Sequence, residues 1–151
     1  MMLRIECDGS SLKGSGAGAG FVSSDGYSEA IPLPKGSTNN EAEYQAVIGA
    51  LKYLLRLRRK PLLDSKEFTV PVSQRPETQI LSDSELVVKQ INGDYKVKNS
   101  RLQKLHKEAH SLIERASFNG HITFKHIPRE ENARADGISR VASLISMAQE
   151  L

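Results

Sequence analysis

Met2-Leu3-Arg4-Ile5-Glu6-Cys7-Asp8 alternates strictly, with Leu3, Ile5 and Cys7 on one side and Arg4, Glu6 and Asp8 on the other. That is the period of a strand with one buried face. Gly14–Gly20 (GSGAGAG) reads as a flexible turn into a second strand, about Ala19–Ser23, and Asp25-Gly26 is a hairpin signal. A third strand, about Tyr27–Leu33, is ended by Pro32 and Pro34. The chain therefore opens as an antiparallel meander.

A long helix is expected over Asn39 to Arg59, where Tyr44, Val47, Ile48, Leu51, Leu54 and Leu55 make an apolar stripe. Thr38-Asn39-Asn40-Glu41 fits a capping box, a hydroxyl followed three residues on by Glu. Arg56, Arg58, Arg59 and Lys60 suit the negative end of the helix dipole, and Pro61 stops it. Pro61–Thr78 reads as a surface excursion with one β-prone piece, Glu67–Val72. Gln79–Ser82 is a short buried strand, Ser84–Ile91 a short helix, and Asn92-Gly93-Asp94 a break. A third helix over Ser100–Ser117 carries Leu102, Leu105, Ala109, Leu112 and Ile113 as its stripe. After the Asn119-Gly120 turn, His121–Ile127 alternates as a fifth strand. From about Asn132 the chain is helical, along Ala135, Ile138, Val141, Ala142, Ile145 and Ala148. The order β-β-β-α-β-α-α-β-α implies an α/β fold, a mixed sheet flanked by helices.

The 151 residues suit one domain, with apolar residues at 38% and charged residues at 26%, which is globular and not disordered composition. No apolar run approaches the roughly 20 residues of a membrane helix, and MMLRIECDG lacks the apolar stretch of a signal peptide. Cys7 is the only cysteine, which excludes an internal disulfide and a cysteine-rich zinc site. A reducing, intracellular and cytoplasmic setting is expected. The net charge of +3 leans toward a polyanionic partner.

Four acids stand where chemistry would want them: Asp8 at the end of the first strand, Glu43 in register with the apolar stripe of the first helix, Asp83 at the end of the fourth strand, and Asp136 early in the last helix. A single Asp at a strand end is more often a cap or turn residue, and Glu43 alone would more often be a partly exposed helix residue. Jointly the pattern reads differently, because strand ends and neighbouring helices of an α/β layer converge on one edge. Converging carboxylates repel and raise one another's pKa, a conflict that divalent cations remove. An all-oxygen ligand set suits Mg²⁺, and two such ions about 3.5–4 Å apart can drive phosphodiester hydrolysis.

The neighbours of these acids carry a resemblance. Cys7-Asp8-Gly9-Ser10, Thr38-Asn39-Asn40-Glu41-Ala42-Glu43-Tyr44, Leu81-Ser82-Asp83-Ser84 and Arg129-Glu130-Glu131-Asn132-Ala133-Arg134-Ala135-Asp136 resemble type 1 ribonuclease H, in order and over nearly the whole chain. The resemblance implies a ribonuclease H-like fold, a five-stranded mixed sheet with strands one to three antiparallel, in a compact form spanning residues 1–151 as a single domain. It implies an endoribonuclease that cuts the RNA strand of RNA–DNA hybrids, leaving 5′-phosphate and 3′-hydroxyl ends, with two Mg²⁺ ions per site and Mn²⁺ as a substitute. On it, Asp8 bridges both ions, Glu43 and Asp83 complete the site near the leaving oxygen, and Asp136 holds the ion that presents water. His126, ten residues before Asp136, matches a loop histidine that assists turnover, although Ile127-Pro128-Arg129 replaces the usual glycine-rich stretch. A strand-end histidine with a structural hydrogen bond is the alternative.

Substrate contacts are implied for Gly9, Ser10, Ser11, Thr38, Asn39, Asn40 and Ser84. Asn39 and Asn40 match a pair that reads minor-groove edges and 2′-hydroxyls, the mark of RNA. Thr38 matches a residue that helps hold a DNA phosphate, in competition with its capping role. His106, His110 and His121 read as surface or packing residues. The family's protruding basic helix is missing, and Lys96, Lys98, Arg101, Lys104 and Lys107 form an acid-free run that either tracks phosphates or is a solvated face. Glu85 stands where some relatives carry an amide. No obligate protein partner and no membrane are implied. A hybrid or double-stranded RNA binding module without turnover is the rival reading.

Overall fold

The structure, a computed structural model, describes residues 2–12, 15–62, 77–117 and 120–149. The strands are β1 (Met2–Ser11), β2 (Ala17–Ser23), β3 (Ser28–Leu33), β4 (Glu77–Ser82) and β5 (Ile122–His126). The helices are α1 (Asn39–Leu62), α2 (Glu85–Ile91), α3 (Ser100–Ala116) and α4 (Ala133–Ala148), with a short 3₁₀ turn at Arg129–Glu131 before α4. One five-stranded sheet has the order β3-β2-β1-β4-β5. The β1–β2 and β2–β3 pairs are antiparallel, and β1–β4 and β4–β5 are parallel. The α/β class, the mixed sheet and its flanking helices are those expected from the sequence.

The alternation of β1 divides the molecule. Ile5 and Cys7 are fully buried in the main core, together with Tyr44, Val47, Ile48 and Leu51 of α1 and Leu102 and Leu112 of α3. The opposite face of β1 and β2 is covered by α4. Gly26, with φ +97°, makes the β2–β3 hairpin, closed by Ser23 N–H donating to Tyr27 O at 2.7 Å.

Four local readings are corrected. The glycine-rich stretch is strand from Ala17 onward, and Gly16, Gly18 and Gly20 lie beneath α4. A Cβ on Gly18 would fall 2.4 Å from Ser143 N of that helix, so Gly16, Gly18 and Gly20 permit close packing and are not a flexible turn, while Gly14 lies outside the described residues. Pro32 lies inside β3, opposite Gly18, which is tolerated because β3 is an edge strand. Helix α1 runs through Pro61 to Leu62, and β4 begins at Glu77, so Thr78 is strand. The β-prone piece Glu67–Val72 lies outside the described residues.

The fourth correction concerns α4. Its buried face is Ala135, Ser139, Ala142, Ser143 and Ser146, whereas Val141 and Ile145 of the expected stripe are 50% and 41% exposed. The glycine-paved surface of β2 takes mainly small side chains, with Ile138 seated on Gly20. The serine hydroxyls find partners there: Ser146 Oγ donates to Leu33 O at 2.5 Å and Ser143 Oγ to Ser139 O at 3.1 Å. Val141, Leu144, Ile145 and Met147 are left on the outer side.

Candidate active site

Parallel pairing sets the first two acids side by side. In the β1–β4 register Cys7 lies opposite Ser82, so the residues that follow are Asp8 on β1 and Asp83 just past the end of β4. Glu43 arrives from the opposite layer. A Cβ on Gly9 would sit 2.2 Å from the Ala42 carbonyl carbon and 2.3 Å from Glu43 N, so only glycine lets α1 cross β1 this closely. The contact is closed by Gly9 N–H donating to Glu43 Oε1. Carboxylate oxygens of Asp8, Glu43 and Asp83, one from each, lie within 4.8 Å of one another.

Asp136 comes from the first turn of α4, whose start is tied to the same strand. Asn132, fully buried, donates from Nδ2 to Cys7 O at 2.7 Å, and its backbone carbonyl accepts from Asp136 N–H at 3.0 Å. Asp136 borders the same cleft of about 640 Å³ and its charge bears on Asp8, but its Oδ2 is paired with Arg140 at 3.2 Å. Three carboxylates therefore form the tight cluster, and the fourth stands at its rim.

Burial is the first cause of the unusual acidity here. It pushes Asp8 up to about 6, reinforced by the charges of Asp83 and Asp136 and opposed by a hydrogen bond from Ser139. Burial, with the charges of Asp8 and Asp83, pushes Glu43 up to about 9. The same burial, with Glu43 and Asp8 nearby, lifts the Cys7 thiol well above its ordinary range, so it remains a packed thiol. The donor set is hard oxygen throughout and carries more negative charge than its rim cations Arg129 and Arg140 offset. That composition fits a divalent cation of the Mg²⁺ type.

Gly9, Ser10, Ser11, Asn39, Asn40 and Ser84 all border the cleft. Asn39 and Asn40 are exposed at the start of α1. The Ser10 side chain turns to α4, where its Oγ donates to Ser139 O at 3.2 Å, and Ser11 Oγ donates to Ser37 O at 2.8 Å. Ser84 caps α2 by accepting from Val87 N–H at 3.3 Å. Thr38 does not border the cleft, and its hydroxyl is engaged in a reciprocal capping box. Glu41 N–H donates to Thr38 Oγ1 at 3.1 Å, and Thr38 N–H donates to Glu41 Oε1 at 3.0 Å. Thr38→Ala should therefore lower stability by about 1 kcal/mol. In thermal denaturation this is a drop of roughly 2–4 °C, and an unchanged midpoint would count against the cap.

His126 closes β5 opposite Ser82, one strand further from Asp8 than Asp83 is, and is exposed. Sequence reasoning did not single out Arg129, Arg140 or Ser139 as parts of the site. The signal for two of them was helical: Ser139 and Arg140 lie three and four residues after Asp136, hence on its face of α4.

Comparison with known proteins agrees with this arrangement. The family model described as RNase H matches residues 2–143. The bifunctional protein Rv2228c of Mycobacterium tuberculosis is 32% identical over 148 residues, covering 94% of this chain and 35% of that protein. The chain thus spans about a third of the length of the curated relatives it matches. The solved N-terminal RNase H domain of Rv2228c, a fusion with maltose-binding protein, superposes with a TM-score of 0.77 at 28% identity, covering 99% of both chains. LC11-RNase H1, isolated from compost and solved in complex with an RNA/DNA hybrid, gives a TM-score of 0.76 at 30% identity, covering 96% of this chain and 99% of that one. RNase H1 of the archaeon Halobacterium salinarum gives 0.70 at 26% identity, covering 94% and 97%. With strand order, carboxylate cleft and a family match from the first strand into the last helix all in agreement, this chain belongs to the RNase H family.

Proposed function

We propose that residues 1–151 act as one domain that hydrolyses the RNA strand of RNA–DNA hybrids in a two-metal reaction, leaving 5′-phosphate and 3′-hydroxyl ends. The observation that carries this reading is the convergence of Asp8, Glu43 and Asp83 within 4.8 Å, in the cleft bordered by the exposed amides Asn39 and Asn40. Asp8, Glu43, Asp83 and Asp136 would hold Mg²⁺ or Mn²⁺. When bound, such ions activate water and stabilise the leaving oxygen. The chain's own contribution is to keep the carboxylates preorganised on two parallel strands and two helices, and to present amide groups to the minor groove and its 2′-hydroxyls.

The likeness to a protein solved with an RNA/DNA hybrid supports the substrate class. The basic run passes beside the amides, because Arg101 at the start of α3 pairs with Glu41 in the first turn of α1 at 3.5 Å. Exposed cations continue from there along α3 at Lys104 and Lys107, a path suited to a phosphate backbone. No described helix is long and apolar enough to cross a membrane. The lone, buried Cys7 suits a reducing, cytoplasmic setting.

The test is cleavage of a labelled RNA–DNA hybrid beside single-stranded RNA, duplex RNA and duplex DNA, with Mg²⁺, with Mn²⁺ and with EDTA. Only the hybrid should be cut, and only with metal. Asp136→Asn should lose cleavage while hybrid binding is largely kept. A wild-type chain that binds hybrid and never cuts it with either ion would instead establish the non-cleaving module.

A further inference from the structure

We infer that Ser139 is a positioning residue for Asp8, holding the carboxylate by one oxygen and so fixing the plane in which it meets Glu43 and Asp83. This inference rests on the metal-dependent reading above. Asp8 and Ser10 lie on the α4 side of β1, and Ser139 is the fully buried residue of α4 that meets them. Ser139 Oγ lies 2.6 Å from Asp8 Oδ2 and 2.9 Å from Asp136 O, its own helix's carbonyl one turn back. A hydroxyl has one proton to give. The shorter, charge-assisted contact is to the carboxylate, the stronger acceptor, and the carbonyl is the weaker alternative. Oδ1 is then the Asp8 oxygen not tied to α4.

The hydroxyl itself is held. The Ser139 carbonyl accepts from Ser10 Oγ of β1 at 3.2 Å, and Asn132 Nδ2 at the start of α4 donates to Cys7 O at 2.7 Å, so β1 and α4 are cross-linked on both sides of the Asp8 contact. Close packing adds to this, since a Cβ on Gly20 would fall 2.9 Å from Ser139 N. Ser139 thus cannot follow Asp8 if the carboxylate rotates. The residue also couples two acids of the site, because the helix that delivers Asp136 delivers the donor to Asp8 three residues later. Groups that orient a metal ligand typically contribute 10–100-fold to metal affinity.

The test compares Ser139→Ala with Ser143→Ala, which removes an equally buried hydroxyl one turn away that bonds Ser10 and Ser139 but not Asp8. Mn²⁺ binding to the metal-free protein is measured by calorimetry, the Mg²⁺ dependence of hybrid cleavage under single-turnover conditions, and hybrid affinity in EDTA. Ser139→Ala should weaken Mn²⁺ binding about 10-fold. It should raise the half-saturating Mg²⁺ by a similar factor and leave hybrid affinity unchanged. Ser143→Ala should stay within about 2-fold on all three measures. Equal losses in both variants would make the serines merely structural and overturn the assignment, as would wild-type Mn²⁺ affinity in Ser139→Ala. A wild-type chain that neither binds Mn²⁺ nor cuts hybrid would overturn the metal-dependent reading and this assignment with it.

Discussion

Replacing Asp8 by Asn should abolish hybrid cleavage and, without metal, make the protein more stable. Both effects come from the same crowding. Asp8 is 6% exposed and shares its surroundings with Glu43, Asp83 and Asp136, with no cationic side chain bonded to it among the described residues. Its carboxyl is raised from 3.8 to about 6, so ionising it in the folded protein is unfavourable. Two pKa units correspond to about 3 kcal/mol, which solvent screening at the open side of the cleft reduces to about 1–2 kcal/mol. Asn keeps the shape and an oxygen for the Ser139 hydroxyl but removes the charge. The metal-free variant should therefore melt several degrees higher at neutral pH. Cleavage should fall by at least about 10²–10³-fold, the scale of losing one preorganised charged group at a reacting centre. A variant that cuts at near wild-type rate would remove Asp8 from the chemistry, and one that melts lower would show that the carboxylate was not a burden.

Metal and pH should act on stability through the same groups. A carboxyl whose folded pKa is raised leaves the fold at full stability below its unfolded pKa, and stability is lost as pH rises through the folded value. For Asp8 that window runs from about 4 to about 6, and for Glu43 from about 4.5 to about 9. The metal-free protein should thus lose stability between about pH 4 and pH 9. Adding Mg²⁺ should restore it most at the alkaline end, where the ligands are already ionised. Melting curves across that range with Mg²⁺ and with EDTA read this directly, and superimposable curves would contradict a cation site.

Gly18→Ala should be strongly damaging although it adds a single methyl group. The new Cβ would lie 2.4 Å from Ser143 N and 2.6 Å from the Ala142 carbonyl carbon, both helix backbone, so α4 must lift from β2. Forcing atoms into packing this close costs about 2–3 kcal/mol, a fall of roughly 5–10 °C in melting temperature. Activity should fall further than stability implies, because α4 carries Asp136 and the hydroxyl that holds Asp8. A shift near 1 Å at such groups can reduce turnover on the order of 10²-fold. Gly137→Ala is the contrast: a Cβ there meets nothing within 4 Å, and in mid-helix it should stabilise by about 0.5–1 kcal/mol. If Gly18→Ala melts and cuts like wild type, the glycine-paved seat for α4 is not as described.

The period of two in Met2–Asp8, the capping box at Thr38 and the turn residues at Asp25-Gly26 and Asn92-Gly93-Asp94 encode their structures locally, within a few residues. These features, read from sequence alone, determined the α/β order and put each of the four acids at an element end or on a helix. What only the tertiary structure decided depends on distance between layers. A helix built of small residues and apolar ones can bury either set, and the glycines of β2, far away in sequence, chose the serine face of α4. The same close approach placed Ser139 against Asp8, whereas the pairing of Asp136 with Arg140 left that acid at the rim. Local patterns are set by neighbours along the chain, but which carboxylates share a solvent-poor pocket depends on how near two backbones can come, and that is decided where strand and helix meet.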